Sequence, residues 1–185
     1  MSIIEEHMKE SDAFEVARKK YRPAHIKTLF IAEAPPSTKS QRFFYFIAVP
    51  RADTLFLETM KVLYPKEFRS VQHARLHKKE FLTRFMNDGF YLIDACRFPL
   101  PNGASFAEKK RAIKDNLPLL RKTLKGISAL CNSRTKVILI SKSVYVACSS
   151  ELVGLNVINE CMIDFPGSGR QRHFRHKLRS LLKKS

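Results

Sequence analysis

Three short apolar runs stand out along the chain, and each is bounded by polar or turn-forming residues. They are Ile26–Ala32, Phe90–Asp94 and Lys136–Ile140. Their apolar residues are nearly continuous and do not alternate with polar ones, which is typical of strands buried on both faces. A weaker strand is predicted over Leu155–Asn159.

Around these strands, apolar side chains recur at helical spacing. Ser11 or Asp12 is expected to cap the first helix. Ser105 and Glu108 have the spacing of a capping box, and Pro118 is expected to break or restart the helix that they open. The predicted helices span residues 11–21, 53–64, 75–86, 105–125 and 142–152, and a basic helix runs from residue 170 onward.

Buried strands that alternate with helices predict an α/β fold. We expect a three-layer α/β/α arrangement with a central, mostly parallel four-stranded sheet. The sequence contains no internal repeat, low-complexity tract or linker that would divide it. Residues 1–185 are therefore expected to form a single domain, with its core over about residues 26–182.

The charge balance points to a polyanionic partner. Lys and Arg number 34 against 17 Asp and Glu, which gives a formal net charge of +17. Such a surplus supplies sequence-independent binding to phosphates, so nucleic acid is the expected partner, DNA before RNA. The alternative is a solvated basic surface that serves only solubility.

Neither a membrane nor an export route is indicated by the sequence. No segment is long and apolar enough to span a bilayer, and none is a long basic amphipathic helix with an aromatic face. The opening residues MSIIEEHMKE carry acids where a signal peptide carries bases. We expect a monomeric cytoplasmic protein, or a nuclear one in a eukaryote.

Candidate metal ligands are sparse. The cysteines Cys96, Cys131, Cys148 and Cys161 lack the C-x-x-C spacing and are interpreted as reduced, partly buried thiols. Four of the six histidines occur in two pairs, residues 73 with 77 and 173 with 176, each at helical spacing but without a supporting acid or cysteine. We expect no metal.

The carboxyl ends of parallel strands are where ligands bind in such sheets. Glu33 follows the first strand, Asp94 ends the second, and Ser141-Lys142 follows the third. Glu33 is the stronger functional candidate, because the two prolines after it lack the amide donors that would otherwise neutralise it. For Asp94, a helix cap or an ion pair with Arg97 or Lys142 is an equal alternative.

The turn before the last helix has the character of an anion site. Pro166-Gly-Ser-Gly169 feeds a helix N-terminus, where exposed amides and the helix dipole favour phosphate. From Arg170 to Lys184 there are seven Arg or Lys and no acid. The expected nucleic-acid contacts are Ser37, Lys142, Gly167, Ser168, Arg170, Arg172 and Arg175.

These segments together resemble the motifs of the uracil-DNA glycosylase superfamily. Ala32-Glu-Ala-Pro-Pro36 is similar to the G-E-A-P-G motif of one branch, and Leu92-Ile-Asp-Ala-Cys-Arg-Phe-Pro99 to the strand that ends in N-x-x-K-C-R-P-P. Val137–Tyr145 resembles the strand with a G-K turn. Phe165-Pro-Gly-Ser-Gly-Arg170 stands where the H-P-S signature precedes the last helix. The resemblance spans about residues 26–182.

The resemblance implies roles for the first motif and the aromatic stretch after it. Glu33 takes the place of the acid that positions the water attacking C1′ of a flipped nucleotide. Phe46 takes the place of the aromatic residue that stacks on the base, with Phe44 or Tyr45 as alternatives.

Two positions depart from the family pattern. Asp94 stands where the family has an Asn that hydrogen-bonds the edge of uracil. An Asn side chain can donate and accept, whereas a carboxylate only accepts hydrogen bonds. Asp94 therefore favours a base with an exocyclic amine. Phe165 replaces the His that stabilises the departing base, a loss of about 3 kcal/mol. His173, Ser168 or the amides of residues 167–170 are candidate substitutes.

The same branch of the family carries an iron–sulfur cluster whose ligands are mostly missing here. Only Cys96 matches one of them, and Asn116 and Leu117 lie near where another cysteine would stand. We therefore expect no cofactor.

Two functions follow as hypotheses. The first is a DNA glycosylase-like repair enzyme that flips an altered base and hydrolyses its N-glycosidic bond, with Glu33 orienting the water. The second is a nucleic-acid-binding protein on the same fold without catalysis. A nucleotide-binding α/β protein is disfavoured, because the chain has no G-x-G-x-x-G or P-loop sequence.

Overall fold

The structure is a computed structural model that describes residues 3–37, 42–49, 51–167 and 169–183. Its strands are β1 (Thr28–Ala32), β2 (Phe90–Asp94), β3 (Lys136–Leu139) and β4 (Asn156–Val157). They form one sheet in the order β2-β1-β3-β4, and every neighbouring pair is parallel. The predicted α/β class with a parallel four-stranded sheet is confirmed.

Seven α-helices accompany the sheet within the described residues. They are α1 (Ile3–Lys20), α2 (Thr54–Leu63), α3 (Val71–Leu76), α4 (Lys78–Asn87), α5 (Phe106–Gly126), α6 (Lys142–Cys148) and α7 (Gln171–Lys183). Helix α5 packs against α6, and α2 packs against α7, which is consistent with a three-layer α/β/α fold. None of the described helices combines the length and apolar character needed to cross a bilayer.

The register of the sheet brings the ends of β1 and β2 side by side. Ala32 lies opposite Asp94. The ladder continues past both strands, since the amide of Cys96 donates to the carbonyl of Glu33 at 3.0 Å. The residues that follow the two strands are therefore fixed by backbone hydrogen bonds.

An aromatic segment covers the outer edge of β2, which is an edge strand. The hydroxyl of Tyr45 accepts from the amide of Leu92 at 2.8 Å and donates to its carbonyl at 3.2 Å. Phe43 and Phe44 are buried beside it in a core shared by the sheet and helices. The segment thus satisfies backbone groups that an open edge would leave exposed.

Four helix predictions were wrong in detail, one of them the helix predicted over residues 142–152, since α6 ends at Cys148. Helix α1 begins at Ile3 and not at Ser11 or Asp12, so these two residues lie inside a helix. Helix α5 continues through Pro118 without a break. Pro118 is exposed, and a proline at such a site costs one backbone hydrogen bond without disturbing the buried face.

The predicted helix over residues 75–86 is two helices. α3 ends before His77 and α4 begins after it. Ser70 caps α3 by accepting from the amide of His73 at 3.0 Å. The helical region therefore begins at Val71, before the predicted start at residue 75.

Candidate functional site

A cleft of about 870 Å³ opens where the strands end. Glu33 follows β1, Asp94 ends β2 and Ser141 follows β3, and all three line it. Gly167 and Arg170, from the turn before α7, line it as well. Two segments that are far apart in the chain therefore meet at one site.

Glu33 is held from two sides within this cleft. Its Oε2 accepts from Lys109 Nζ at 3.0 Å. Its Oε1 accepts from the hydroxyl of Ser143 and, at 3.3 Å, from that of Ser141. The side chain is only 15% exposed. These donors fix the carboxylate in one orientation, which is what a group that positions a water molecule requires.

Ser141 adopts a backbone conformation that side chains rarely tolerate. Its φ is 93° and its ψ 151°, a region occupied almost only by glycine. The same residue caps α6, because its Oγ accepts from the amide of Val144 at 3.2 Å. The strained turn is what brings the hydroxyl between the start of α6 and Glu33.

Asp94 lies against α1. Arg18 donates to Asp94 Oδ2 at 2.7 Å, and both side chains are largely buried. Burial raises the pKa of Asp94, and the neighbouring Arg18 guanidinium partly opposes this. The alternative of an ion pair at Asp94 is thus realised, but with Arg18 as the partner and not Arg97 or Lys142.

The aromatic residues divide between the core and the cleft. The ring of Phe46 stacks on Phe14 at 5.6 Å and is not among the described residues that line the cleft. Phe43 and Phe44, by contrast, line it. Phe44, one of the alternatives to Phe46, thus lies in the lining, whereas Phe46 and the other alternative, Tyr45, do not.

The cationic residues near the last helix are also divided. Lys142 and Arg170 line the cleft. Arg175 forms an ion pair with the buried Glu58 of α2, so its charge fastens α7 to the fold. Arg172 is exposed on α7 and lies outside the described lining. Arg175 is therefore a poor candidate for phosphate contact.

The remaining predicted contacts lie in varied positions. Phe165 lines the cleft and is partly exposed. His173 is exposed on α7, where its Nδ1 lies 3.4 Å from Arg170 Nη1; neither it nor Ser37 is among the described lining residues. Ser168 lies outside the described residues.

Three residues that act on the site were missed from the sequence, namely Lys109, Ser143 and Arg18. Ser143 stands two residues beyond Ser141, so the strand-end rule could have included it. Lys109 and Arg18 lie on helices, each 76 residues from its acidic partner. No local pattern marks such pairs.

The cysteines are all free thiols. Cys96 is buried close to the cleft, and burial raises the pKa of its thiol to about 12, which disfavours the reactive thiolate. Within the part of the chain that the structure describes, no three His, Cys, Asp or Glu side chains are grouped as a metal site would need.

The cleft thus combines the Glu33 carboxylate, Lys109 hydrogen-bonded to it, buried aromatic rings and the cations Lys142 and Arg170. No protein-family model matches the sequence, and no curated protein matches it at a significant level.

Proposed function

We propose that this protein is a DNA glycosylase-like enzyme that hydrolyses the N-glycosidic bond of a flipped, altered base. One observation carries the proposal: Glu33 and the turn bearing Gly167 and Arg170 line a single cleft, as the resemblance to the uracil-DNA glycosylase superfamily implies. A base that leaves the stack needs a pocket of this kind, with cations for the flanking phosphates.

Glu33 positions the attacking water in this proposal. Ser141, Ser143 and Lys109 hold the carboxylate, and its remaining lone pairs accept a hydrogen bond from water. The water oxygen bonds to C1′ as the bond from C1′ to the base nitrogen breaks. The electron pair leaves with the base, and the proton lost by the water passes to Glu33.

The departing base carries negative charge that needs a donor. Phe165 supplies none at the position where the family has its His. Arg170 also lines the cleft, and its amide donates to the carbonyl of Gly167 at 3.3 Å. We assign stabilisation of the leaving base to Arg170, in place of His173, which lies outside the described lining.

The base itself is expected to carry an exocyclic amine. Asp94 reaches the cleft, with Oδ2 bonded to Arg18 and Oδ1 as its second acceptor. An ionised carboxylate accepts from an amine and repels a carbonyl oxygen such as O4 of uracil. An altered base that carries an exocyclic amine therefore fits Asp94 better than plain uracil does.

The test is a base-release screen on DNA that carries uracil, hypoxanthine, xanthine or alkylated bases. The Glu33→Gln variant should lose about 10²- to 10⁴-fold in release while DNA affinity stays within twofold. Glu151→Gln is the matched control, because Glu151 pairs with Arg121 on the surface, away from the cleft lining. Release that is unchanged in Glu33→Gln would end the proposal.

One observation favours the second function, a nucleic-acid binder without catalysis. Phe165 occupies the cleft where the leaving-group donor is expected, and a phenyl ring cannot stabilise an anion by a hydrogen bond. This function predicts steeply salt-dependent binding and no abasic product on any of the modified DNAs. The same screen therefore separates the two.

A further inference from the structure

Two exposed phenylalanine rings flank the cleft, on separate elements. Phe106 opens α5 and is 42% exposed, and Phe165 precedes α7 and is 41% exposed. Both line the cleft, whereas Phe43 and Phe44 in the same lining are buried. The exposed rings therefore belong to the rim of the site and the buried ones to its interior.

Each rim ring has a close neighbour. Lys142 Nζ lies 4.8 Å from the centroid of the Phe106 ring, a cation–π arrangement. The ring of Phe165 lies against Gly167, where an added Cβ would meet Cδ1 at 3.3 Å. Rings that are already positioned lose little freedom when a flat ligand stacks on them.

Positive charge accompanies the rings. Arg42, Lys142 and Arg170 line the cleft, and none of them forms an ion pair with an acid among the described residues. The acids of the lining are all engaged: Glu33 by Lys109, Asp94 by Arg18, and Asp164 by Lys177. The rim therefore presents uncompensated cations beside apolar rings.

We propose that this rim binds a single, unpaired nucleic-acid strand, with bases stacked on Phe106 and Phe165 and phosphates on Arg42 and Lys142. Unpaired strands expose the faces of their bases to aromatic side chains, whereas a duplex covers those faces and presents only base edges. The inference rests on the proposed function for its nucleic-acid partner, but it requires no base release.

Fluorescence anisotropy tests this directly, with a labelled DNA strand, the matching blunt duplex and an RNA strand of the same sequence. The wild-type protein should bind the DNA strand at least tenfold more tightly than the duplex. Phe106→Ala and Phe165→Ala should each weaken strand binding about 5- to 100-fold. Phe106→Leu and Phe165→Leu keep apolar volume and fold, and should weaken it nearly as much.

Phe98→Ala is the matched control. Phe98 is also an exposed ring beside a cation, with Arg97 5.4 Å from its centroid, but it is not among the described residues of the cleft lining. Its removal should leave strand binding unchanged.

Salt dependence separates the rings from the charges. Lys142→Ala should reduce the slope of log affinity against log salt by about 0.7 for a single strand. Phe165→Ala should leave that slope unchanged while it lowers affinity. If the RNA strand binds as tightly as the DNA strand, the rim is still a single-strand site, and it accepts both polymers.

Equal affinity for strand and duplex, or leucine variants that bind like the wild type, would overturn the inference. Strand binding without any base release would instead remove the glycosylase proposal and leave this inference standing.

Discussion

Replacement of Lys78 by methionine tests the energy of a charge buried between α2 and α4. The Lys78 side chain is fully buried, and its Nζ lies 3.5 Å from Asp53 Oδ2 and 4.3 Å from the centroid of the Phe56 ring. Arg75 donates twice to the other oxygen of Asp53, at 2.7 and 3.0 Å. Burial lowers the pKa of Lys78 to about 8, although the charge of Asp53 opposes this.

The direction of the pH effect follows from these values. A lysine in the unfolded chain has a pKa of 10.5, so between pH 8 and 10.5 the unfolded chain keeps a proton that the folded protein has lost. The free energy of unfolding contributed by Lys78 therefore rises with pH across this window. The gap between the two pKa values corresponds to about 3 kcal/mol, of which about 2 to 3 kcal/mol appears between about pH 7 and pH 10.

The pH dependence is measured by urea unfolding at several pH values across that range. The wild type and Lys78→Met are compared at each pH. The free energy of unfolding of the wild type, minus that of the variant, should rise by about 2 to 3 kcal/mol with pH. Other groups, such as Tyr91, whose pKa burial raises to about 12, act equally in both proteins and cancel.

Lys79→Met is the control, because Lys79 is the exposed neighbour of Lys78 on the same helix. It should follow the pH dependence of the wild type. A Lys78→Met variant with that same dependence would refute the argument, since the lysine would then titrate alike in the folded and unfolded chains.

Three further substitutions test the site and its supports. Arg18→Met should destabilise the fold by about 3 kcal/mol in urea unfolding, because it leaves Asp94 buried without its cation; a loss below 1 kcal/mol would contradict this. Gly89→Ala should cost about 2 kcal/mol by the same measurement, since φ is +83° and the new Cβ would lie 3.1 Å from the carbonyl oxygen of His25. Ser141→Gly should change stability by less than about 1 kcal/mol, as relief of backbone strain offsets the lost helix cap. The same variant should lower base release at least tenfold, and unchanged release would show that its hydroxyl does not orient Glu33.

The sheet could be predicted because its signal is local. A strand buried on both faces must be apolar along its whole length, so the runs that became β1, β2 and β3 were visible without any knowledge of their neighbours. The helix boundaries were less predictable. Apolar periodicity extends across His77 although the helix divides there, and Pro118 favours a break that helix α5 avoids because only an exposed turn is affected.

The position of the cleft was predictable for a topological reason. Parallel strands end at the same edge, so Glu33, Asp94 and Ser141 had to come close together whatever their separation in sequence. The partners of those residues were not predictable, because an ion pair between elements depends on how the helices pack. Lys109 and Arg175 illustrate this, since one reaches Glu33 in the cleft and the other is bound to Glu58.

The strained turn and the carboxylate are parts of one arrangement. Ser141 holds a conformation that costs about 1–3 kcal/mol for any residue except glycine, and glycine there would provide no hydroxyl. The hydroxyl lies 3.3 Å from Glu33 and 3.1 Å from the hydroxyl of Ser143, so both serines address one carboxylate oxygen. A largely buried carboxylate can accept several hydrogen bonds, and the two serines supply those that Lys109 does not. Under the proposed function, the strain at Ser141 is the cost of orienting Glu33, and on that basis Ser141→Gly should separate stability from activity.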